Sequence, residues 1–413
     1  MVVVEAASTN SRGGSFPLLA GGAATAFLVA VCTASVWSAG APLHAGATTG
    51  QGIPRLYLPC LWGAFAAYLV SLALIRRGRP GLWAVVTVAV AVQLLPLFAP
   101  LLGSTDAWSY WDYARIAATH GANPYVMTPS TYPGDAAYGH MGAAWHTTTS
   151  VYGPAFTLAS EPVALAVHGS AAAAAWTFKT LAAAGVLLAA ALAGLLARRT
   201  AFAVAFVGWN PLLAVDFAGG GHNDVLMVSL VLAALALAAM GRGRLSSVAW
   251  ATSIYVKWVS VLLFPLHLLA EHAAGRRTAW RSLVAALAAG ALIATAGFGP
   301  HWTGAAMPLA HTAAHGSRFA IPHRLQSTGL PRWAAVTLVA GAFTVAYALL
   351  LRSAARGRAR LGLAAGVLLL AAPYVVSWYT VWAVPFAAAE EDAAAQFLSL
   401  GLCAYLLRQG MKS

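Results

Sequence analysis

At 413 residues, with 60% hydrophobic and 8% charged side chains and a mean hydropathy of +0.73, the chain is too apolar for a soluble globular protein, which carries about 25% charged residues. The net charge of +13 and pI of 10.1 do not argue for nucleic acid, because most basic residues sit in short clusters between apolar runs. Long Ala/Leu/Val runs without alternation select helices over a barrel in lipid, and Cys32, Cys60 and Cys403, all in apolar runs, indicate neither disulfides nor a zinc site.

In chain order, apolar stretches fall near 16–38, 54–75, 81–102, 172–197, 200–218, 223–240, 282–299, 334–351 and 361–377. Shorter or broken ones lie near 154–168, 245–256, 258–269, 380–389 and 393–407. At about 20 residues per span these predict an all-α polytopic transmembrane bundle of roughly ten to thirteen crossings. The first stretch, preceded by the lone Arg12, reads as a retained anchor rather than a cleaved signal. Arginines at 76, 77 and 79, at 198 and 199, at 242 and 244, at 276, 277 and 281, and from 352 to 360 mark cytoplasmic loops and put both termini on that side.

Two segments, about 103–171 and about 300–333, are thereby left on the outer face, within one integral-membrane domain over 1–413 that has no soluble part and no clear repeat. The stretches 245–256 and 258–269 are too short to cross and are flanked by cytoplasmic Arg, so a re-entrant hairpin with Lys257 near its tip is expected. Stretch 154–168 is likewise expected to be re-entrant or interfacial.

The outer segments carry the polar chemistry. Ser104 or Thr105 can cap a helix running to about His120, ended by Gly121 and the Asn123-Pro124 turn. Its aromatic-rich AWSYWDYA stretch suits a helix lying in the membrane interface. Asp106 and Asp112, six residues apart, point about 120° apart on it. Asp112 can pair with Arg115 three residues on, which leaves Asp106 as the unpaired acid and the better general base. An acid at a helix N-terminus is also stabilised there with no catalytic role.

In NPLLAVDFAGGGHNDVLM, Pro211 can kink a span, Gly219 to Gly221 can form an external turn, and Asn223 or Asp224 can cap the next helix. Capping accounts less easily for Asp216, His222, Asn223 and Asp224 together, which could bind sugar hydroxyls or hold a neighbouring loop. The later loop offers His301, His311, His315, Arg318, His323 and Arg324, cations that could hold a phosphate or lie on anionic headgroups. Lys257 is a second phosphate candidate, though such a lysine often snorkels. No HExxH-like spacing indicates a metal. Aromatics at Tyr152, Trp378, Tyr379 and Trp382 could stack on sugar rings or belong to the interfacial belt.

Taken in order, Asp106 with Ser109-Tyr110, Gly121-x-Asn123-Pro124-Tyr125, Tyr152-Gly153-Pro154, Asn210-Pro211 with Gly221-His222-Asn223-Asp224, and Trp378-Tyr379 with Trp382 resemble the GT-C glycosyltransferases that use polyprenol-phosphate sugars. The resemblance is strongest to the actinobacterial polyprenol-phosphomannose-dependent α-mannosyltransferases of lipomannan and related glycolipids. It implies a GT-C bundle in the cell membrane with short interfacial helices, an outer-face site and Asp106 as catalytic base. It also implies a polyprenol-phosphate mannose donor, a glycolipid or lipoglycan acceptor, membrane lipids as partners and no nucleic acid. Candidate substrate-binding residues are then Tyr110, Asn123, Tyr125, Tyr152, His222, Asn223, Asp224, Lys257, His315, Arg318, His323, Arg324, Trp378 and Tyr379.

No nucleotide-sugar DxD motif occurs, so no cofactor and no obligatory metal are expected. The chain is shorter than lipomannan-type members, so acceptor and linkage are not carried over. Rival readings are a secondary transporter, suggested by broken helices and Lys257, a non-catalytic envelope subunit, and an enzyme using another lipid-linked sugar such as arabinofuranose.

Overall fold

A computed structural model describes residues 12–38, 54–78, 80–305 and 316–408. His311 and His315 lie outside the described residues. Among them every regular element is helical: α1 (Arg12–Ser38), α2 (Tyr57–Arg77), α3 (Leu82–Leu94), α4 (Asp106–Ala118), α5 (Pro154–Val167), α6 (Ala171–Leu196), α7 (Thr200–Gly208), α8 (Pro211–Gly219) and α9 (Asp224–Ala239). The order continues with α10 (Gly243–Val256), α11 (Ser260–Ala273), α12 (Trp280–Phe298), α13 (Ile321–Ser327), α14 (Arg332–Ala354), α15 (Leu361–Ala371), α16 (Val384–Ala389) and α17 (Ala393–Leu406).

Among the described residues five stretches, Leu19–Trp37, Tyr57–Arg77, Ala171–Leu196, Trp280–Ala305 and Arg332–Ala354, are long and apolar enough to cross a membrane. The pair α7 and α8, bent by 45°, passes the same test together. Shorter apolar helices fill in the rest, so a count of roughly ten to thirteen crossings requires them to cross in pieces.

The bend between α7 and α8 follows from the sequence. Asn210 is extended (φ −68, ψ 112), as a residue before proline tends to be, and Pro211 takes the first helical position, where its missing N–H costs nothing. In lipid the freed backbone groups have no water to bond. Asn210 Oδ1 therefore accepts from the N–H of Leu212 (3.0 Å), and Gln93 Nε2 donates to the carbonyls of Gly208 (3.1 Å) and Asn210 (3.3 Å). Past the bend, Ala214–Gly219 winds as a π-helix, a rare form that gathers at functional sites.

Small residues bring the helices close. A Cβ on Gly185 would stand 2.6 Å from Val225 of α9, and one on Gly208 2.6 Å from Ala89 of α3. The Tyr152-Gly153-Pro154 turn is held more tightly still, since a Cβ on Gly153 would lie 2.1 Å from the carbonyl oxygen of Tyr255. That contact presses the Tyr152–Pro154 turn against the close of α10, two residues before the break at Lys257.

α4 corrects the sequence expectation. It is no surface helix with aromatics in the interface: Trp108, Tyr110, Trp111 and Tyr113 are all buried, and Trp108 Nε1 donates to the Ala171 carbonyl at 2.9 Å. Arg115 does not pair with Asp112 either. It bonds Asp135 at 2.7 Å and the His168 carbonyl at 2.9 Å, and His120 shares Asp135 at 2.7 Å. Asp112 is left buried with one carboxylate oxygen unpartnered.

Candidate active site

Three glycines assemble the centre. The Leu102 N–H donates to the Gly219 carbonyl at 3.0 Å, which straps the segment leading to Asp106 onto the turn after α8. A Cβ on Gly220 would meet the Leu102 carbonyl at 3.0 Å and His222 Nε2 at 3.0 Å, and Gly221 adopts φ +75, a conformation that favours glycine. The turn is buried. It delivers His222, Asn223 and Asp224 beneath α4.

Asp106 is therefore not unpaired. Its Oδ2 lies 3.2 Å from His222 Nδ1, and its own N–H donates to Ser104 Oγ at 3.1 Å. Burial pushes its carboxyl up, but the His222 imidazole, the Ser104 hydroxyl and the Lys257 ammonium outweigh that and hold it below the ordinary carboxylate value. The His222 ring is stacked on Trp378, with centroids 3.8 Å apart and planes 10° from parallel.

Asp224 does not cap α9 with its side chain, and neither does Asn223. One oxygen of Asp224, Oδ1, accepts from Lys257 Nζ at 2.5 Å and from Trp382 Nε1 at 2.7 Å. Lys257, at the break between α10 and α11, also stands over the rings of Tyr379 (5.2 Å) and Trp382 (5.6 Å). Asp216 accepts from Ser377 Oγ at 3.0 Å while its other oxygen is buried and unpartnered, as are both polar side-chain atoms of Asn223. A narrow cleft lined by Phe156, Phe178, Leu181 and Ala182 reaches His222 and Asn223, and Leu181 is exposed at its outside.

The fold thus gathers Asp106, Tyr110, Tyr152, His222, Asn223, Asp224, Lys257, Trp378 and Tyr379. Not all are free to bind a ligand. The Tyr110 hydroxyl accepts the Asn223 N–H at 3.2 Å, and its ring is packed edge-on by Tyr152, Phe156 and Phe178, so it supports the turn.

Asn123 and Tyr125 are likewise bonded within the protein. Asn123 bonds the Phe298 carbonyl and the Tyr125 N–H, while the Tyr125 hydroxyl bonds the Tyr152 carbonyl at 2.8 Å and Thr157 at 2.9 Å. Arg318, His323 and Arg324 are exposed; Arg318 and Arg324 stand over the Phe319 ring, and Arg324 bonds Tyr405 at 3.3 Å. Among the described residues no group of three or more His, Cys, Asp or Glu is placed to hold a metal.

One polar residue next to the site escaped the sequence reading. Lys179, fully buried within α6, donates from Nζ to the carbonyls of Leu97 (2.8 Å) and Ala99 (2.5 Å) and fixes the strap ahead of Asp106. A lone cation inside an apolar run was the available signal.

Comparison with known proteins agrees with the resemblance of the motifs. A relative from Mycobacterium tuberculosis, alpha-(1->6)-mannopyranosyltransferase A, is 30% identical over 204 residues, which cover 47% of this chain and 39% of the relative. A probable alpha-(1->6)-mannopyranosyltransferase from Mycolicibacterium smegmatis is 30% identical over 151 residues, covering 35% and 27%. The matched part is thus well under half the length of either relative. No solved structure matches. Residues 14–273 match the family described as alpha-(1->6)-mannopyranosyltransferase, N-terminal domain, and the chain belongs to that family.

Proposed function

We propose that this chain transfers a mannosyl residue from polyprenol-phosphate mannose to a glycolipid or lipoglycan acceptor at the outer face of the cell membrane, with inversion and with Asp106 as general base. The Asp106 carboxylate takes the proton of the acceptor hydroxyl while that oxygen bonds to the anomeric carbon. The bond from that carbon to the phosphate oxygen breaks, and its electron pair leaves with the polyprenyl phosphate. A β-linked donor then yields an α-linked product. Positive charge gathers on the sugar ring as the bond breaks, and negative charge gathers on the phosphate, where a fixed cation is most useful. Lys257 is the cation that the fold holds at this centre, with Arg318 and Arg324 as outer alternatives.

The observation that carries this reading is the contrast in access among the three acids. The Asp106 side chain is 20% exposed, whereas that of Asp224 is 1% exposed and Asp216 as a residue is 4% exposed. Only Asp106 combines access with an anionic form favoured by its neighbours, the two properties a base at neutral pH needs.

The test is transfer of radiolabelled mannose from polyprenol-phosphate mannose to extracted envelope glycolipids, comparing purified wild type with Asp106→Asn. Transfer by wild type alone is expected. Equal transfer by both would move the base to Asp216 or Asp224, and no transfer by a folded wild type would sink the donor assignment.

A further inference from the structure

We propose that His222 acts through Asp106 in this reaction, orienting its carboxylate and keeping it in the anionic, proton-accepting form, and does not itself bind sugar. The inference rests on the reading of the reaction above and assigns one residue of the same site. Three observations carry it.

The first is access. His222 is 1% exposed, so its ring offers no surface to a substrate, while the Asp106 side chain in front of it is 20% exposed. The second is orientation. Trp378 covers one face of the imidazole at 3.8 Å, the Phe217 ring stands edge-on at 6.3 Å, and the glycine turn closes on Nε2, where a Cβ on Gly220 would lie 3.0 Å away. Nδ1 is the ring nitrogen that meets Asp106, standing 3.2 Å from Oδ2 as an ion-pair contact outside hydrogen-bond alignment. The third is cost. A carboxylate moved out of water without a partner neutralises itself, and Asp106 is buried enough for that to matter.

The other groups that face Asp106 do not replace His222. The Ser104 hydroxyl, from the turn before α4, bonds its N–H and carries no charge. Lys257, from the break between α10 and α11, contributes the weakest attraction to Asp106 and makes its own ion pair with Asp224 at 2.5 Å. Tyr110 and Tyr113 on α4, Tyr152 before α5, and Tyr374 and Tyr379 after α15 all feel the Asp106 charge; burial first, then neighbouring charges that include Asp112 for Tyr113 and Asp224 for Tyr379, push their hydroxyls up, so they stay neutral.

The experiment is the pH dependence of kcat/KM for mannosyl transfer in the full chain, for wild type, His222→Phe and His222→Asn. The kcat/KM profile reports the base of the free enzyme. Phe keeps a ring for Trp378 to stack on but removes the Nδ1 donor, and Asn returns a neutral N–H near the same position.

The expected result is a wild type that stays flat toward acid, and a His222→Phe profile whose acid limb moves up by about one pH unit or more, a tenfold loss at fixed acidic pH. His222→Asn should bring the limb back toward wild type. Should His222→Phe not fold, His222→Ala read on the same pH series decides in its place. Loss by the same factor at every pH, with no movement of the limb, would overturn the inference and leave the reaction standing. A folded wild type that transfers no mannose would overturn both.

Discussion

Two groups of three acids, Asp106 with Asp216 and Asp224, and Glu390 with Glu391 and Asp392, are used in opposite ways. At the loop between α16 and α17, every carboxylate is engaged. Glu390 accepts from the N–H groups of Leu361 (2.6 Å) and Gly362 (3.0 Å), and Glu391 from that of Arg199 (2.9 Å). Asp392 caps α17 through the N–H groups of Ala394 and Ala395 and takes a two-pronged contact from Arg360 at 2.6 and 3.1 Å. This clasp joins the starts of α7, α15 and α17. Around Asp106, by contrast, carboxylates and amides are packed together with capacity to spare: Asp216 keeps one oxygen unpartnered, Asn223 keeps its whole amide unpartnered, and Asp106 stays accessible. A carboxylate with all its bonds made within the protein is holding helices together. One left short of partners and next to a cation is poised for an outside molecule, and strain of this kind is tolerated where function needs it.

Exchanging the two regions by mutation gives the sharpest test. Asp106→Asn should cut turnover by about 10²–10⁴-fold, the usual loss for a general base, with the thermal midpoint unmoved. Asp392→Ala should do the reverse, lowering stability by about 1–2 kcal/mol from the lost cap and ion pair while kcat holds; denaturation of the purified protein alongside the transfer assay separates them. If Asp392→Ala hurts turnover and not stability, the contrast between the two regions fails.

Asp112 sharpens the comparison from a third position, because it is buried like the clasp acids and left short like the site acids. Burial first, then Asp135, push its carboxyl up to about 7 against the pull of Arg115. Because the native state keeps a proton that the unfolded chain gives up from about pH 4, stability falls as pH rises between about 4 and 7 and stays lower above. Asp112→Asn cannot ionise, so its thermal midpoint should exceed that of wild type near pH 8 and match it near pH 4. An equal change at both pH values would remove the carboxyl from the account. The smallest effect belongs to the rim: Arg324→Ala should raise the donor KM by about two- to fivefold, the worth of one exposed charge, and leave kcat alone.

Helical class, the bend at Asn210-Pro211, the break at Lys257 and the family were legible because each depends on local chemistry: apolar length, a proline, a charge inside an apolar run, ordered short motifs. The burial of α4 was not. AWSYWDYA has the same composition whether its aromatics lie against headgroups or against Ala171 and Phe178, and only tertiary packing decides. Partner choice was equally hidden. Spacing proposes Asp112 for Arg115, but Asp135 lies twenty positions on, and nothing local announces that Asp224 meets Lys257 and Trp382. The nearness of Asp106 to His222 depends on three glycines whose role is to be absent as side chains, which a sequence shows only as composition.

The seat of Gly153 against the Tyr255 carbonyl has a consequence for how this chain can change over evolution. Because no side chain fits there and the next residues open α5, the path from Ser150 to Thr157 cannot gain or lose a residue without moving the end of α10 and, with it, Lys257. Length variation between α4 and α5 then has to be taken up earlier, in the turns between Gly121 and Ser150, where additions can loop away from the helices. The fold leaves the turns between Gly121 and Ser150 open to insertion and keeps the stretch from Ser150 to Thr157 at fixed length.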